Sequence, residues 1–355
     1  MTPESVTELV RAGHDVMVEA EAGLGIGADD TTYLAAGARV LPNASEVFAR
    51  AEMIVKVKEP QAIERSMLRP DQVLFTYLHL APDREQTQDL LASGATCIAY
   101  ETVTDTFGGL PLLKPMSQVA GRLAVQAGAS ALEKVNGGRG VLLGGVPSVA
   151  PAKVAIIGGG VVGFNAARMA VGLGADVMIL DQHLPTLERL DNHFGATARC
   201  LYSNAAVLAE TVSWTDLIVG AVLVPGGAAP KLITRDMLAS MKPGAVLVDV
   251  AIDQGGCFET SHPTTHDEPI YEVDGIVHYC VANMPGAVAR TSTYALNATT
   301  LPFVLALAKK GWKGALKDDK HLRAGLNVWN GRLTSEPVAC ALGLDFVDAD
   351  SALKA

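Results

Sequence analysis

The chain has 355 residues, of which 49% are hydrophobic and 19% are charged, a composition that predicts a compact globular protein long enough for two domains. Its net charge of −10 excludes nucleic acid and anionic membranes as expected partners, because an acidic surface attracts neither. A small soluble ligand is the expected partner.

No apolar run has the length that spans a bilayer, and no basic-then-apolar signal segment begins the sequence, so we expect a cytoplasmic protein without membrane contact. The five cysteines contain no Cys-x-x-Cys pair, which predicts neither a disulfide framework nor a zinc site. His262 and His266 have metal-ligand spacing only in a helix, and Pro263 argues against a helix there. No metal site is therefore expected.

The first part of the chain predicts alternating helices and strands. The first helix is expected at residues 2–12, with a strand at 14–19 after it; no strand precedes this helix, which is unusual for an alternating domain. Further elements are expected at 45–51 (helix), 53–57 (strand), 73–77 (strand), 84–92 (helix) and 96–100 (strand). This alternation is typical of a parallel sheet wrapped by helices.

Residues 117–134 predict a long helix crowded with Ala and Gly. Its small side chains allow close packing, either against the body of the protein or against another subunit. Residues 137–151 are rich in Gly and Pro and predict a hairpin or linker that leads into the next domain.

The motif Gly158-x-Gly160-x-x-Gly163 follows the apolar run 154–157 and opens a helix expected to reach Leu173. Glycines at this spacing allow a tight turn, close approach of a pyrophosphate and close packing of helix on strand. The free N–H groups at the helix N-terminus can bind the phosphates. The motif predicts a dinucleotide site, with a glycine-rich turn in an unrelated α/β domain as the alternative.

Asp181 ends the next apolar run, at the place from which a carboxylate reaches the ribose 2′-hydroxyl of the adenosine half. It is followed by Gln182 and His183, so no adjacent arginine is present to bind a 2′-phosphate. The sequence therefore predicts NAD, rather than NADP, as the cofactor.

The alternating pattern continues to the end of this domain, with helices expected at 185–192, 205–211 and 234–241 and strands at 198–202, 217–224, 245–252 and 276–281. A helical stretch at 291–310 is expected to be interrupted at Pro302, where the chain would return to the first domain.

The predicted fold class is α/β with two doubly wound domains. A Rossmann NAD-binding domain, residues 112–301, is inserted into a discontinuous substrate domain, residues 1–111 and 302–355.

Polar side chains at the ends of apolar strands are candidates for a ligand site, because open α/β sheets bind ligands there. Lys56 and Lys58 are expected on one face of the strand at 53–57, with Lys58 at its end, and His79 ends the next strand. A cation there can bind a carboxylate, and an imidazole can exchange a proton near neutral pH. A solvated lysine and a structural histidine stay open as alternatives.

Asp253 follows the apolar run 245–252 and precedes two glycines. A carboxylate at the carboxyl end of a strand can face the nucleotide crevice. A turn-forming aspartate before a diglycine is the alternative.

Several longer motifs, in the same order along the whole chain, closely resemble the alanine dehydrogenase family, which also includes the related transhydrogenase α subunits. These motifs are KVKEP (56–60), LHL (78–80), PMS (115–117), GGVP (144–147), GAVLVPG (220–226), DVAIDQGGC (249–257) and NMPGA (283–287).

The resemblance implies a homohexameric enzyme that uses NAD to oxidise L-alanine to pyruvate and ammonia through an imine intermediate. Carried over by position, it implies that Lys58 binds the substrate carboxylate and that His79 and Asp253 are the acid–base residues. The positions that it implies for nucleotide binding are Ser117, Gly158, Gly160, Gly163, Asp181, Ser203 and Asn283.

The start of the chain departs from the family pattern. The family normally begins with a strand and a loop whose arginine also binds the substrate carboxylate, and this sequence starts after that segment. One alternative is therefore an NAD-binding protein with weakened or lost catalysis. A second is the NAD-binding part of a transhydrogenase, although that family lacks the Leu-His-Leu sequence at 78–80 and functions with membrane segments.

Overall fold

The computed structural model describes residues 1–222 and 229–354. Contacts divide the chain into two compact units: unit 1 comprises Met1–Pro115 and Ala289–Ala355, and unit 2 comprises Met116–Val288. Each unit contains a sheet with at least two parallel strand pairs and helices along the connections, which confirms the predicted α/β fold class.

The first segment of unit 1 begins with a helix that Thr2 caps, since its side chain accepts a hydrogen bond from the backbone of Ser5 and Pro3 occupies the first turn. The elements of this segment are α1 Pro3–Arg11, β1 Met17–Glu19, α2 Asp30–Ala35, β2 Arg39–Leu41, α3 Ala44–Arg50, β3 Met53–Val55, α4 Ala62–Arg65, β4 Val73–Thr76, α5 Arg84–Ser93 and β5 Thr96–Ala99.

Unit 2 is built around a seven-stranded sheet. Its elements are α6 Lys114–Ala131, β6 Lys153–Ile157, α7 Val161–Gly172, β7 Asp176–Asp181, α8 Leu184–Phe194, β8 Ala198–Tyr202, α9 Ala205–Trp214, β9 Leu217–Gly220, α10 Arg235–Leu238, β10 Val246–Asp249, β11 Ile270–Val273 and β12 Ile276–Tyr279. Leu223 and Val224, at the end of the strand predicted at 217–224, lie outside the described residues.

The strand order in unit 2 is β11-β12-β10-β9-β6-β7-β8, and the pairs are parallel except for β11 with β12. The connections change direction between β6 and β9, which are adjacent. In a doubly wound sheet, this switch point opens the crevice that binds the ligand at the carboxyl ends of the strands. The glycine motif follows β6 and therefore borders that crevice.

The second segment of unit 1 completes the sheet that the first segment begins. Its elements are α11 Ala289–Asp318, α12 Lys320–Arg323, β13 Leu326–Trp329, β14 Arg332–Leu333, α13 Glu336–Leu342 and α14 Ala349–Lys354. The resulting order is β14-β13-β5-β4-β3, with β13 antiparallel to β5, while β1 and β2 form a separate parallel pair.

The interruption predicted at Pro302 is wrong, because α11 continues through this residue. A proline removes one helical hydrogen bond, but buried side chains on both sides of it, including Leu296 and Val304, hold the helix against the rest of unit 1. The non-helical backbone lies at Gly311 instead, where φ is 64° and ψ is 163°. Glycine adopts this left-handed conformation without a steric cost.

The small residues of α6 pack within unit 2. A Cβ atom added to Gly121 would lie 2.2 Å from the carbonyl oxygen of Val162 in α7, and one added to Gly128 would lie 2.6 Å from Leu217 Cδ1 in β9. The helix ends at Ala131, before the predicted residue 134. Both glycines therefore allow close packing of α6 against the body of the protein. This was one of the two predicted explanations for its small residues, and the other was packing against another subunit.

Within the described part of the chain, no helix is both long and apolar enough to cross a membrane. The same residues contain no group of three or more His, Cys, Asp or Glu side chains that could hold a metal ion. The five cysteines are free thiols, and those at positions 97, 257 and 280 are buried.

Candidate functional site

His79 follows β4 in a turn with an unusual backbone conformation. Its φ of 46° lies in the left-handed region that residues other than glycine rarely adopt. The carboxylate of Glu101 accepts hydrogen bonds from the backbone N–H groups of Leu78 (3.2 Å) and His79 (2.6 Å) and thereby stabilises the turn. The imidazole stacks on Tyr77, with ring centroids 5.7 Å apart, and its side chain is 44% exposed. The ring is therefore held in place and open to a ligand.

The Nδ1 atom of His79 lies 2.5 Å from Oε1 of Glu59. Burial alone lowers the pKa of His79, but the hydrogen bond to Glu59 and the negative charges of Glu101 and Glu59 outweigh it, so the pKa is raised. Burial acts in the opposite sense on Glu59, yet hydrogen bonds and the charges of Lys58 and His79 lower the pKa of this carboxyl to about 2. Glu59 is therefore an anion at neutral pH.

The two candidate lysines have different environments. The expectation that Lys56 and Lys58 share one face of a strand is wrong, because β3 ends at Val55. Lys56 forms a partly buried ion pair with Glu64, whereas the Lys58 ammonium lies 3.4 Å from the Glu59 carboxylate and its side chain is 54% exposed. Lys56 is thus engaged within the protein, and Lys58 is available to a ligand.

The glycine motif in unit 2 has the geometry of a dinucleotide site. Gly158 has φ 101°, and a Cβ atom there would lie 2.6 Å from the carbonyl oxygen of Ala221, just past β9. A Cβ atom on Gly163 would lie 1.8 Å from the carbonyl oxygen of Gly158, so α7 approaches the loop closely. Gly160 caps α7 and has no atom within 4 Å of its Cβ position. This open space beside free helix N–H groups fits a pyrophosphate.

Asp181, the last residue of β7, holds the same loop. Its Oδ2 accepts a hydrogen bond of 2.6 Å from the Gly159 N–H, and its Oδ1 accepts one of 2.8 Å from the His183 N–H. The backbone N–H of Ser203, a buried residue just after β8, donates to the Asp181 carbonyl oxygen at 2.9 Å. The structure thus brings Asp181, Ser203 and the glycine loop together at one edge of the sheet.

Asp253 does not directly follow a strand. The strand predicted at 245–252 ends at Asp249, and the next residues form a 3-10 turn, Val250–Gln254, that contains Asp253. The polypeptide turns because the fully buried Asp249 carboxylate accepts hydrogen bonds from the backbone N–H groups of Ala251 (3.0 Å) and Cys257 (2.9 Å). Asp253 is exposed on this turn, at the carboxyl side of β10.

The two remaining predicted nucleotide residues also lie in unit 2. Ser117 is half-buried near the start of α6. Asn283 is exposed after β12, with φ 56°, and its carbonyl oxygen accepts a hydrogen bond of 2.9 Å from the Gly286 N–H. A non-glycine residue held in this region is typical of ligand-binding segments.

The sequence did not predict the part that three carboxylates play in holding the candidate residues: Glu59, Glu101 and Asp249. Glu59 lies inside the KVKEP motif, next to Lys58, so its position was the one available signal. Glu101 contacts His79 only because β5 pairs with β4. The sequence did not indicate that Asp249 ends the strand, because the apolar run continues past it to residue 252.

Two family models together match nearly the whole chain. The model described as "Alanine dehydrogenase/PNT, N-terminal domain" matches residues 1–120. The model described as "Alanine dehydrogenase/PNT, C-terminal domain" matches residues 124–336.

Curated relatives and solved structures agree with these matches. An alanine dehydrogenase of Halomonas elongata is 64% identical over 99% of this chain and 95% of its own length, and that of Bacillus subtilis is 54% identical over 100% and 93%. The solved structure of an L-alanine dehydrogenase, 53% identical, superposes with a TM-score of 0.93 over 97% of this chain and 94% of its own. A transhydrogenase from Sinorhizobium meliloti, 28% identical, has a TM-score of 0.81 over 94% of both chains.

Proposed function

This chain belongs to the alanine dehydrogenase family, and from that premise we propose how its residues carry out the NAD-dependent oxidation of L-alanine to pyruvate and ammonia. The observation that carries the proposal is the arrangement in unit 1 of Lys58 and His79, which contact the same carboxylate, that of Glu59. An exposed ammonium beside a proton-exchanging imidazole suits an amino acid substrate, which has one carboxylate and one nitrogen that must lose protons.

Lys58 binds the carboxylate of alanine. Its ammonium is exposed, and its contact with Glu59 is long, at 3.4 Å, so an incoming carboxylate finds a donor that is not fully engaged. A charge-assisted hydrogen bond of this kind fixes one end of the substrate and so orients Cα.

Unit 2 binds NAD. The N–H groups at the start of α7 bind the pyrophosphate, since Gly160 leaves open space beside them. Asp181 accepts hydrogen bonds from the adenosine ribose, and Ser117, Ser203 and Asn283 complete the nucleotide contacts. The bound nicotinamide supplies the acceptor for the hydride that leaves Cα.

His79 and Asp253 transfer the protons that the reaction requires. Loss of hydride from Cα needs a neutral amine and leaves an iminium, to which water adds before ammonia departs. His79, with its pKa raised by Glu59 and Glu101, accepts protons in the direction of deamination and donates them in the direction of amination. Asp253, exposed on its turn, is the second acid–base residue.

Substrate binding and NAD binding belong to the two domains that we predict from the sequence: a substrate domain at residues 1–111 and 302–355 and an NAD-binding domain at 112–301. The similarity to the family further supports a homohexamer, located in the cytoplasm, as the working form of the enzyme.

The proposal is tested by the formation of NADH from L-alanine and NAD, followed by absorbance. The purified chain should reduce NAD in proportion to added L-alanine, and His79→Ala should lower kcat by at least about 100-fold, the usual contribution of general acid–base catalysis. The affinity for NAD should change little, because His79 belongs to unit 1.

His14→Ala, which removes another histidine of the same unit, serves as the matched control and should retain activity. A chain that does not respond to L-alanine would contradict the proposed activity, and a fully active His79→Ala would contradict the role of His79.

A further inference from the structure

Two carboxylates contact His79, and the chemistry described above gives neither of them a part in the reaction. Glu59 Oε1 lies 2.5 Å from the ring nitrogen Nδ1, and Glu101 Oε1 lies 2.6 Å from the backbone nitrogen. Glu59 follows β3 and Glu101 follows β5, and these strands flank β4, which carries the chain to His79. The two carboxylates therefore act on different parts of the same residue.

The contact with Glu59 decides which nitrogen of His79 exchanges protons. Glu59 is ionised, because its pKa is lowered to about 2, and an ionised carboxylate only accepts hydrogen bonds. The proton on Nδ1 is therefore retained whether the ring is neutral or charged. Nε2 remains as the nitrogen that gains and loses a proton, and the stacking on Tyr77 fixes the plane of the ring.

The contact with Glu101 holds the backbone from which the ring projects. His79 has φ 46°, a conformation that costs energy for a residue with a Cβ atom and persists only where the surroundings enforce it. Glu101 accepts hydrogen bonds from two successive N–H groups, those of Leu78 and His79, which are turned to the same side by this conformation. Glu101 thus stabilises the one turn that gives the imidazole its direction.

We propose that Glu59 and Glu101 are positioning residues for the acid–base chemistry of His79: Glu59 fixes the tautomer and the orientation of the ring, and Glu101 fixes the backbone turn beneath it. The inference rests on the proposed role of His79. Glu59 also contacts Lys58, so the same carboxylate holds the substrate-binding ammonium and the imidazole next to each other.

The charged and titratable groups that face His79 are Glu59, Glu101, Lys58 and Tyr77. Burial and Lys58 lower the pKa of His79, the two carboxylates raise it, and Tyr77 is neutral because its own pKa is raised by burial. Removing the charge of Glu59 therefore lowers the pKa of His79. The part of the plot of kcat/KM against pH that reports the ionisation of His79, called the His79 limb, therefore moves to lower pH.

The test compares Glu59→Gln with the intact enzyme, with L-alanine and NAD as substrates across the pH range. Glutamine keeps the shape of the side chain but removes the charge, so kcat should fall by about 10- to 100-fold, part of the full acid–base contribution, and the His79 limb should move to lower pH. Glu101→Gln should lower kcat as well, because one glutamine oxygen replaces two carboxylate oxygens at two N–H groups. The Kd for NAD should not change in either variant.

Glu46→Gln is the matched control, since Glu46 forms an exposed ion pair with Arg50 within α3 and should leave kcat and the pH profile unchanged. If Glu59→Gln does not fold, Glu59→Asp makes the same comparison, because its shorter side chain withdraws the carboxylate from Nδ1. Unchanged kcat and an unmoved limb in the folded Glu59 variant overturn the proposal, provided that His79→Ala is inactive. An active His79→Ala overturns both this inference and the role of His79 on which it depends.

Discussion

At the scale of a single residue, the Asp181 carboxylate holds the glycine loop, and we propose that it also binds the adenosine ribose. One oxygen accepts the Gly159 N–H at 2.6 Å, and the other accepts the His183 N–H at 2.8 Å. A carboxylate has further lone pairs that a ribose hydroxyl can reach. Its negative charge also repels a 2′-phosphate, which is the physical basis for the predicted preference for NAD.

Replacing Asp181 with arginine should lower the ratio of kcat/KM for NAD to that for NADP. Loss of hydrogen bonds to a charged acceptor costs about 1.5–3 kcal/mol, which corresponds to a decrease of about 10- to 100-fold in the NAD term. The ratio is measured from steady-state kinetics with both cofactors at saturating L-alanine.

Asp181→Asn is the matched control for this exchange, since its amide oxygen can still accept the Gly159 N–H while the negative charge is lost. Its cofactor ratio should lie between those of the parent and of Asp181→Arg. A ratio that is unchanged in Asp181→Arg would show that Asp181 does not select the cofactor.

At the scale of elements, the contact of α6 with α7 depends on the absence of side chains. A Cβ atom on Gly121 would lie 2.2 Å from the carbonyl oxygen of Val162, which is backbone and cannot rotate away. The two helices approach closely enough to place α7, and hence the glycine loop at its start, against the buried core of unit 2. This core includes Val125, Ala166 and Ala170.

Gly121→Ala should therefore destabilise the protein by about 1–3 kcal/mol, the usual cost of overpacking, although alanine favours a helix more than glycine does. The change is measured as a lower midpoint of thermal or urea unfolding.

Gly172→Ala is the control within α7, because no atom lies within 4 Å of its Cβ position. It should stabilise the protein by up to about 1 kcal/mol through helix propensity alone. Equal effects of the two substitutions would contradict the packing argument.

At the scale of the whole molecule, the two units differ in how the chain builds them. Unit 2 is one continuous segment with its own seven-stranded sheet. The sheet of unit 1 is incomplete without β13, a strand of the second segment that pairs with β5 of the first segment. Val328 of β13 is fully buried in the same cluster as Leu74 and Cys97. A fragment that ends before β13 would expose this cluster to water.

A fragment of residues 114–288 should thus fold alone and bind NAD, but should not oxidise L-alanine, because Lys58 and His79 belong to unit 1. Circular dichroism and calorimetric titration with NADH measure the two properties. A fragment of residues 1–115 is the control and should remain unfolded or aggregate. A folded 1–115 fragment, or a 114–288 fragment that unfolds cooperatively yet binds no NADH, would contradict this division.

The sequence predicted the strand, glycine loop, helix and second strand of this unit well because they are neighbours along the chain, whereas the contacts of these residues with NAD stay predictions. The strand β6, the three glycines, α7 and Asp181 follow one another, and local backbone geometry relates each to the next. The bounds of β8 agree with the predicted 198–202. Their positions at strand ends made Lys58, His79 and Asp253 candidates, the resemblance to a family favoured their roles over the structural alternatives, and these roles stay predictions.

Local signals misled where tertiary contacts decided the outcome. The apolar run at 245–252 predicted a strand to its end, but the buried Asp249 carboxylate turns the chain and moves Asp253 onto a 3-10 turn. Pro302 predicted an interruption of α11 that packing on both sides removes. In the first case a buried carboxylate and N–H groups two and eight residues away, and in the second case packing against the rest of unit 1, outweighed the preference read from the sequence pattern.

By itself, the sequence determined the α/β class, the glycine loop and the position of Asp181 at the end of the next strand, because these follow from hydrophobic periodicity and from steric rules that act over a few residues. Only the tertiary structure decided the surroundings of His79. Glu59 and Glu101 lie 20 and 22 residues from it in the chain and contact it because β3 and β5 pair with β4. A parallel sheet aligns strand ends that are far apart in sequence, and no local pattern reports which side chains then meet.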